Sequence, residues 1–420
     1  MKGKKQTGTE RVGYRELLKQ KEYLKVIAAG LINRFGDSID AIAFTWLVYA
    51  ITGNAMWSAL VFAANQLPSV VVQPFAGALV ETMDKKKLMV VTDVIRGVVT
   101  IGLAMLYITG YINPWMMLIF TLTNSTVEAF RLPAALAVMP KLLEEKYYAP
   151  GTSLNGTLST IVQLIGMGAS GVIIGAFGIG TAIVIDGVSF FGSALILSFL
   201  RLKEIIPGKN KLHIKEYPET LKEGLRYLKG QPVIRNFCLL SVLINALITP
   251  LNALQSPLIE EVLGQGSELL SVFAIALTMG MGIGSFVYPF IHERISVRKQ
   301  FIITGVFMGA GLYSYTLGTG FRTNVAAIYM LTIAASFIIG MTCSIFVSAL
   351  SVRFMKSVNP EYLARVGAIF NAGASAATPL MSLAVSALVS FLTISQIFVV
   401  CGLFCVIIFL VLAFVRVRLE

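Results

Sequence analysis

The sequence predicts an all-α membrane protein of twelve transmembrane helices, arranged as two six-helix repeats with both termini in the cytoplasm. Three observations carry this reading. Of 420 residues, 56% are hydrophobic and 13% charged, at a mean hydropathy of +0.78, whereas soluble domains average about 45–50% apolar and about 25% charged residues. The apolar residues gather into long continuous runs, and the basic residues gather between every other pair of runs. So little polar material cannot cover a globule in water, which argues against a soluble enzyme, a nucleic-acid binder or a disordered scaffold.

A helix crosses the hydrocarbon core with about 20 mainly apolar residues. Twelve stretches qualify: 24–51, 57–80, 88–110, 114–139, 152–177, 179–201, 234–256, 269–290, 299–319, 324–350, 362–391 and 393–415. These runs are continuous, unlike the alternating segments of about ten residues that build a barrel. The first follows a charged stretch, is too long for a signal core and lacks a small-residue exit, so it reads as a helix rather than a cleaved leader.

Orientation follows from the basic residues. One side collects Lys2 to Lys25, Lys85 to Lys87, Lys141 and Lys146, the stretch Arg201 to Arg235, Arg294 to Lys299, Arg353 to Arg365, and Arg416 with Arg418. That is 30 of the 34 basic residues; Arg34, Arg96 and Arg131 lie within runs, leaving Arg322 for the other side. Both termini are therefore expected in the cytoplasm, and the net charge of +12 is topological rather than a footprint for nucleic acid.

Residues 1–23 form a charged cytoplasmic segment, 24–201 a first six-helix bundle, 202–233 a cytoplasmic linker and 234–420 a second bundle. Within the linker, Tyr217 to Lys229 has helical spacing of apolar residues among charges, which fits an amphipathic helix on the membrane surface or a plain charged tether. Faint echoes relate the halves. Leu31-Ile32-Asn33 recurs as Leu243-Ile244-Asn245, Asn155 matches Asn371, and the basic turn at Lys85 to Lys87 matches Arg298-Lys299. Two parallel repeats place a substrate cavity at the midplane between them.

Other motifs lose their usual meaning in this setting. Cys238, Cys343, Cys401 and Cys405 all fall inside runs and read as packing residues, with neither a disulfide framework nor a metal site. Gly166-Met167-Gly168-Ala169-Ser170-Gly171 spells a dinucleotide fingerprint but sits in the middle of a run with no preceding strand. The chain has no Walker-type phosphate loop, and His213 and His292 lie in cytoplasmic segments. No cofactor, metal or enzymatic activity is expected.

Between the second and third runs, Gly77-Ala78-Leu79-Val80-Glu81-Thr82-Met83-Asp84-Lys85-Lys86 resembles the G-x-L-a-D-r-x-G-r-r loop of the major facilitator superfamily. Glu81 replaces the usual Asp, Thr82 the Arg and Asp84 the second Gly, and the last change implies a different turn. Further stretches resemble the branch of macrolide-efflux proteins and the enterobactin exporter: Arg34-Phe35-Gly36-Asp37-Ser38, Trp46-Leu47-Val48-Tyr49, Gln66-Leu67-Pro68, Asp93-Val94-Ile95-Arg96, Ile185-Asp186-Gly187-Val188 and Glu223-Gly224-Leu225-Arg226. The antiporter signature in the fifth run is partial. Gly166, Gly168, Gly171 and Gly175 are present, but Met167 stands where a Pro is the rule.

Ionisable groups inside spans are costly and mark cavities or partners. The first half contains Arg34, Asp37, Asp40, Asp93, Arg96, Glu128, Arg131 and Asp186, and the second half contains none between its helix ends. Asp37 and Glu128 fall at mid-depth and are expected to carry a proton, with Asp40 as a further candidate. Arg34 with Asp37 and Glu128 with Arg131 are spaced i, i+3, close enough to meet on one helix face. Arg34 and Arg131 are accordingly expected to change partner between states, and Asp186 to be either a cavity group or a buried hydrogen-bonded one. The alternative is a static structural network. The resemblance implies that Gly77, Glu81, Asp84, Lys85 and Lys86, with Asp93 and Arg96 nearby, gate the transition. Phe44, Asn65, Gln66, Phe130, Gln163, Asn245, Asn252 and Gln255 are the polar and aromatic candidates for substrate contact.

The resemblance implies a secondary active transporter of a bacterial inner membrane. Within that class the expectation is a proton-coupled exporter, acting as a monomer in the lipid bilayer, whose partners are protons and a drug-like, macrolide-like or other amphiphilic small molecule. Open alternatives are a uniporter, importer or lysolipid-type carrier on the same fold, and a membrane sensor that binds without transporting.

Overall fold

The computed structural model describes residues 17–414 apart from 18, 82, 145–146, 202–225, 227–229, 293, 322–323 and 359–362. The linker segment expected as a surface helix therefore lies outside the described residues, Arg226 excepted. The described residues form helices and no strands.

In chain order the long helices are α1 (Lys21–Thr52), α2 (Ala55–Val71), α3 (Gln73–Glu81), α4 (Lys85–Ile108), α5 (Pro114–Leu142), α6 (Tyr148–Phe177) and α7 (Ile179–Ser198). After the linker come α8 (Pro232–Ala253), α9 (Ser267–His292), α10 (Val297–Leu317), α11 (Val325–Ser357), α12 (Leu363–Leu388) and α13 (Ile394–Phe414). Among the described residues, eight of these are long and apolar enough to cross a membrane: α4, α6 to α11 and α13. The other four expected spans are helical as well. The run at 57–80 is divided into α2 and α3 at Val72, where Pro74, the second residue of α3, has no N–H to donate back across the join. α1 and α5 carry the charges at 34, 37, 40, 128 and 131, which lower their mean hydropathy.

Short-range chemistry sets the helix ends. Gly53 closes α1 at φ 55°, its N–H donating to the Tyr49 carbonyl, a left-handed cap that glycine adopts without steric cost. Asn54, Asn113 and Asn324 each accept a backbone N–H at the start of α2, α5 and α11, the usual N-cap bond. α8 gives way near Pro250 to a short turn at Gln255–Pro257 and a π-helical turn at Leu258–Val262.

The exterior is apolar. Val98, Ile108, Ile119, Phe177, Phe199, Phe286, Phe290 and Met330 are exposed, a surface suited to lipid and not to water. Inside, α1 packs on α6 and α7, α4 on α5 and α7, α9 on α11, and α10 on α11 and α13. At the α9–α11 crossing, a Cβ on Gly280 or Gly340 would meet the opposing backbone directly. Such small residues let membrane helices approach where hydrophobic driving force is weak. Contacts between the first and second halves of the chain run chiefly through α2 with α12 and α6 with α9. Ser382 and Ser386 of α12 donate to the Ala59 and Met56 carbonyls at the start of α2. The Tyr49 hydroxyl meets the Glu261 carboxylate. These bonds between the two halves cluster at the end of the molecule marked by the Gly53–Asn54 turn.

Candidate functional site

Asn33, Asp37 and Asp40 recur at i, i+4 and i+7 along α1, so they share one face. Asp93 and Arg96 on α4, Glu128 and Arg131 on α5, and Asp186 with Ser193 on α7 come from neighbouring helices, α7 packing on α1 and α4 packing on α5 and α7. The result is a cross-helix charge network.

Asp93 is wholly buried. Its carboxylate accepts Arg131 Nε at 2.8 Å, Ser193 Oγ at 2.6 Å and Asn33 Nδ2 at 3.3 Å. Arg96 reaches Asp37 at 3.0 Å and Glu128 at 3.7 Å, and its guanidinium lies 4.1 Å over the Phe190 ring, a favourable placement for a cation. This pairing differs from the i, i+3 pairs the spacing suggested. Arg34 does not bind Asp37, nor Arg131 Glu128; each carboxylate instead meets a cation from another helix. The physical reason is burial. An unpaired buried guanidinium or carboxylate loses its hydration with nothing in return, so Arg96 and Asp93 claim partners first. Arg34 is exposed, and among the described residues it has no ion-pair or hydrogen-bond partner.

A cavity of about 230 Å³ adjoins this network. It extends from Val26 near the start of α1 to Asp37 halfway along, with Arg34, Arg96, Glu128 and Arg131 in its wall. It therefore lies toward the end where α1 begins, opposite the end joined by the Tyr49–Glu261 and α2–α12 bonds. A smaller cavity of about 50 Å³ brings Asp40 together with Phe44 and Asn65, alongside Thr100, Phe120 and Asn124. Asp186 is 1% exposed with Oδ1 unpartnered, and Asp40 Oδ1 is unpartnered as well. Asp186 Oδ1 lies against α1 at Gly36, where a Cβ would come within 2.5 Å of it.

Asp84 caps α4, accepting the Lys87 N–H at 3.0 Å. Its φ of −68° is ordinary for any residue, so the turn has no need of the glycine usual at this point in the signature. Lys85 is buried and Lys86 half-buried. Gly77 and Glu81 lie on α3, and the Glu81 side chain falls outside the described residues. Asp93 and Arg96, expected beside this loop, instead sit with Asp37 and Arg131, because the rise of about 1.5 Å per residue carries them well along α4.

Among the substrate-contact candidates, Asn245 Nδ2 donates to the Ser241 carbonyl of its own helix. Gln66, Phe130, Gln163, Asn252 and Gln255 are half-buried and line neither of these cavities. Sequence reasoning passed over Asn33 and Ser193 as network members and Asn155 and Ser159 as cavity residues. The spacing of Asn33 to Asp37 and of Asp186 to Ser193 is the signal available for the first two.

Comparison with known proteins agrees with this architecture. The chain is 22% identical over 367 residues to the multidrug efflux pump Tap of Mycolicibacterium fortuitum, covering 85% of this chain and 86% of that one. It is 22% identical over 362 residues to macrolide efflux protein A of Streptococcus pyogenes, covering 86% and 87%. The crystal structure of the nucleoside transporter NupG superposes with a TM-score of 0.75 at 12% identity, over 93% of this chain and 98% of that one, a likeness of fold alone. Residues 16–419 match the model of the transmembrane secretion effector family. The chain is a multi-pass membrane transporter of the major facilitator superfamily, and it belongs to the transmembrane secretion effector family within it.

Proposed function

We propose that this transporter is a proton-coupled exporter of drug-like, macrolide-like or other amphiphilic molecules, working by alternating access from a bacterial inner membrane. The single observation that carries this reading is the cavity walled by Arg34, Asp37, Arg96, Glu128 and Arg131, with the opposite end joined by Tyr49–Glu261 and the α2–α12 bonds. Twelve spans, two six-helix bundles at 24–201 and 234–420, and cytoplasmic termini complete the proposal. The one-sided distribution of Lys and Arg supports that orientation, and it makes the cavity open inward.

In this scheme Asp37 and Glu128 share Arg96 in the inward-facing state. A proton arriving from outside neutralises one carboxylate and frees Arg96, and the altered pairing favours release of substrate on the far side. Each inward proton yields about 2.3 kcal/mol per 100 mV of potential. Asp40, at the smaller cavity, and Asp186 are the further members of this relay. The loop at Gly77 to Lys86 latches the transition.

The test uses purified protein in liposomes with an imposed pH gradient and a fluorescent amphiphile. Gradient-driven flux lost in Asp37→Asn with binding retained is the expected result, and flux is expected to be lost in Glu128→Gln as well. Equal, gradient-independent flux in the parent and both variants would overturn the coupling and leave a facilitator.

A further inference from the structure

We propose that Arg34 and Glu128 form a recognition site for a zwitterionic head on the transported molecule, Arg34 taking a carboxylate and Glu128 an ammonium. The proposal rests on the transport reading above, in that it takes the larger cavity as the place where substrate is held.

The charges of the cavity lead to this. Arg131 is closed on Asp93 at 2.8 Å and Arg96 on Asp37 at 3.0 Å. Those two pairs leave one cation and one carboxylate in the same wall. Arg34 is exposed and unpaired among the described residues. The Glu128 side chain is 50% exposed, and its nearest ion-pair partner is Arg96 at 3.7 Å, which already serves Asp37 more closely. Among the groups of the wall, with Asp93 counted as the partner of Arg131 behind it, three cations meet three carboxylates; Asp40 lines the smaller cavity and Asp186 the α1–α7 contact instead. A ligand with no net charge but two charged groups can pair with both, whereas a simple anion or cation would pair with one and leave the other facing the cavity unmatched.

Geometry and size point the same way. A guanidinium offers a planar fork that matches a carboxylate with two parallel hydrogen bonds. Val26, Ile27 and Leu132 supply apolar wall beside the charges. At about 230 Å³ the cavity is smaller than the ~300–1,000 Å³ that a whole drug-sized ligand fills. It suits a polar head whose apolar body extends out of the pocket.

The experiment measures binding to purified full-length protein in lipid nanodiscs, with no gradient applied, using three probes of one shape. Phenylalanine carries both charges, phenylalaninamide only the ammonium and N-acetylphenylalanine only the carboxylate. The parent is expected to bind phenylalanine about tenfold or more tightly than either derivative, the factor a charged hydrogen bond commonly contributes. Arg34→Gln should erase the difference between phenylalanine and its amide while keeping that against the N-acetyl compound. Glu128→Gln should do the reverse, and Arg34→Lys should restore part of the carboxylate preference. Equal binding of all three probes by the parent, no binding of any, or full discrimination retained in Arg34→Gln would each overturn the site. Charge discrimination with gradient-independent flux would defeat proton coupling and leave this site standing. Gradient-driven flux of an amphiphile without charge discrimination would defeat this site alone.

Discussion

Arg131 Nε donates to Asp93 Oδ1 at 2.8 Å, joining α5 to α4 through a carboxylate with no exposure to solvent. The same carboxylate takes Ser193 from α7 and Asn33 from α1, so one side chain ties four helices together.

Removing that carboxylate should therefore cost more than any other single charge deletion in the network. Asp93→Ala is expected to lower stability by about 3 kcal/mol, since it leaves the Arg131 guanidinium largely buried and unpaired. Thermal unfolding in detergent, followed by loss of monodisperse protein, checks this. The double variant Asp93→Asn with Arg131→Gln should recover part of the loss, because no unpaired charge then remains.

Gly36 is a second strict requirement. A methyl group there would come within 2.8 Å of Ser189 Cβ and would also meet Asp186, on the α1–α7 face that carries the buried acid. Gly36→Ala is expected to destabilise by about 1–3 kcal/mol through overpacking. Gly156→Ala, where nothing lies within 4 Å, should be neutral or stabilise slightly by its better helix propensity. The pair of melting curves separates crowding from propensity.

At the end opposite the cavity, Tyr49→Phe removes the hydrogen bond to Glu261 that links α1 to the π-helical turn. It should shift the population toward opening at that end. Ser256, fully buried beside this turn, offers the readout. A Ser256→Cys variant should react with a membrane-impermeant maleimide severalfold faster when Tyr49→Phe is added. An unchanged rate would show that the α2–α12 bonds alone hold this end shut.

Glu22, outside the membrane-spanning part of α1, links the start of α1 to the end of α7. Its carboxylate accepts the Arg201 N–H at 2.7 Å and Lys25 Nζ at 2.8 Å. Burial pushes its pKa up, but the Arg201 N–H and the Lys25 ammonium outweigh that and hold it below the usual glutamate value. A lowered folded-state pKa gives stability that is present above the unfolded value, about 4.3, and is lost as pH falls through the folded one. Parent protein should thus lose a small increment of melting temperature on acidification below about pH 4, and Glu22→Gln should lack that increment throughout. Melting curves from pH 3 to 7 measure it.

Much of this protein is legible along the chain, because a bilayer imposes a one-dimensional rule. Every span must be a helix of apolar residues, and its caps are local chemistry, as at Gly53, Asn54 and Asp84. The exceptional charges were equally visible, since each of Asp37, Asp93, Arg96, Glu128, Arg131 and Asp186 stands out against an apolar background. Family membership followed from the loop at Gly77 to Lys86 and the stretches around Arg34, Asp93 and Asp186.

What the chain alone did not determine is which charge meets which. Spacing of three residues made Arg34–Asp37 and Glu128–Arg131 the natural pairs, and the fold chose Arg96–Asp37 and Arg131–Asp93 instead. Helical spacing fixes only which residues share a face of one helix. The partner is chosen by the neighbouring helix that excludes water most completely, because a buried charge gains far more from pairing than an exposed one. Packing of α4 on α5 and α7, and of α7 on α1, buried Asp93 and Arg96 and left Arg34 and Glu128 facing the cavity, a sorting by desolvation that exists only once the helices are assembled.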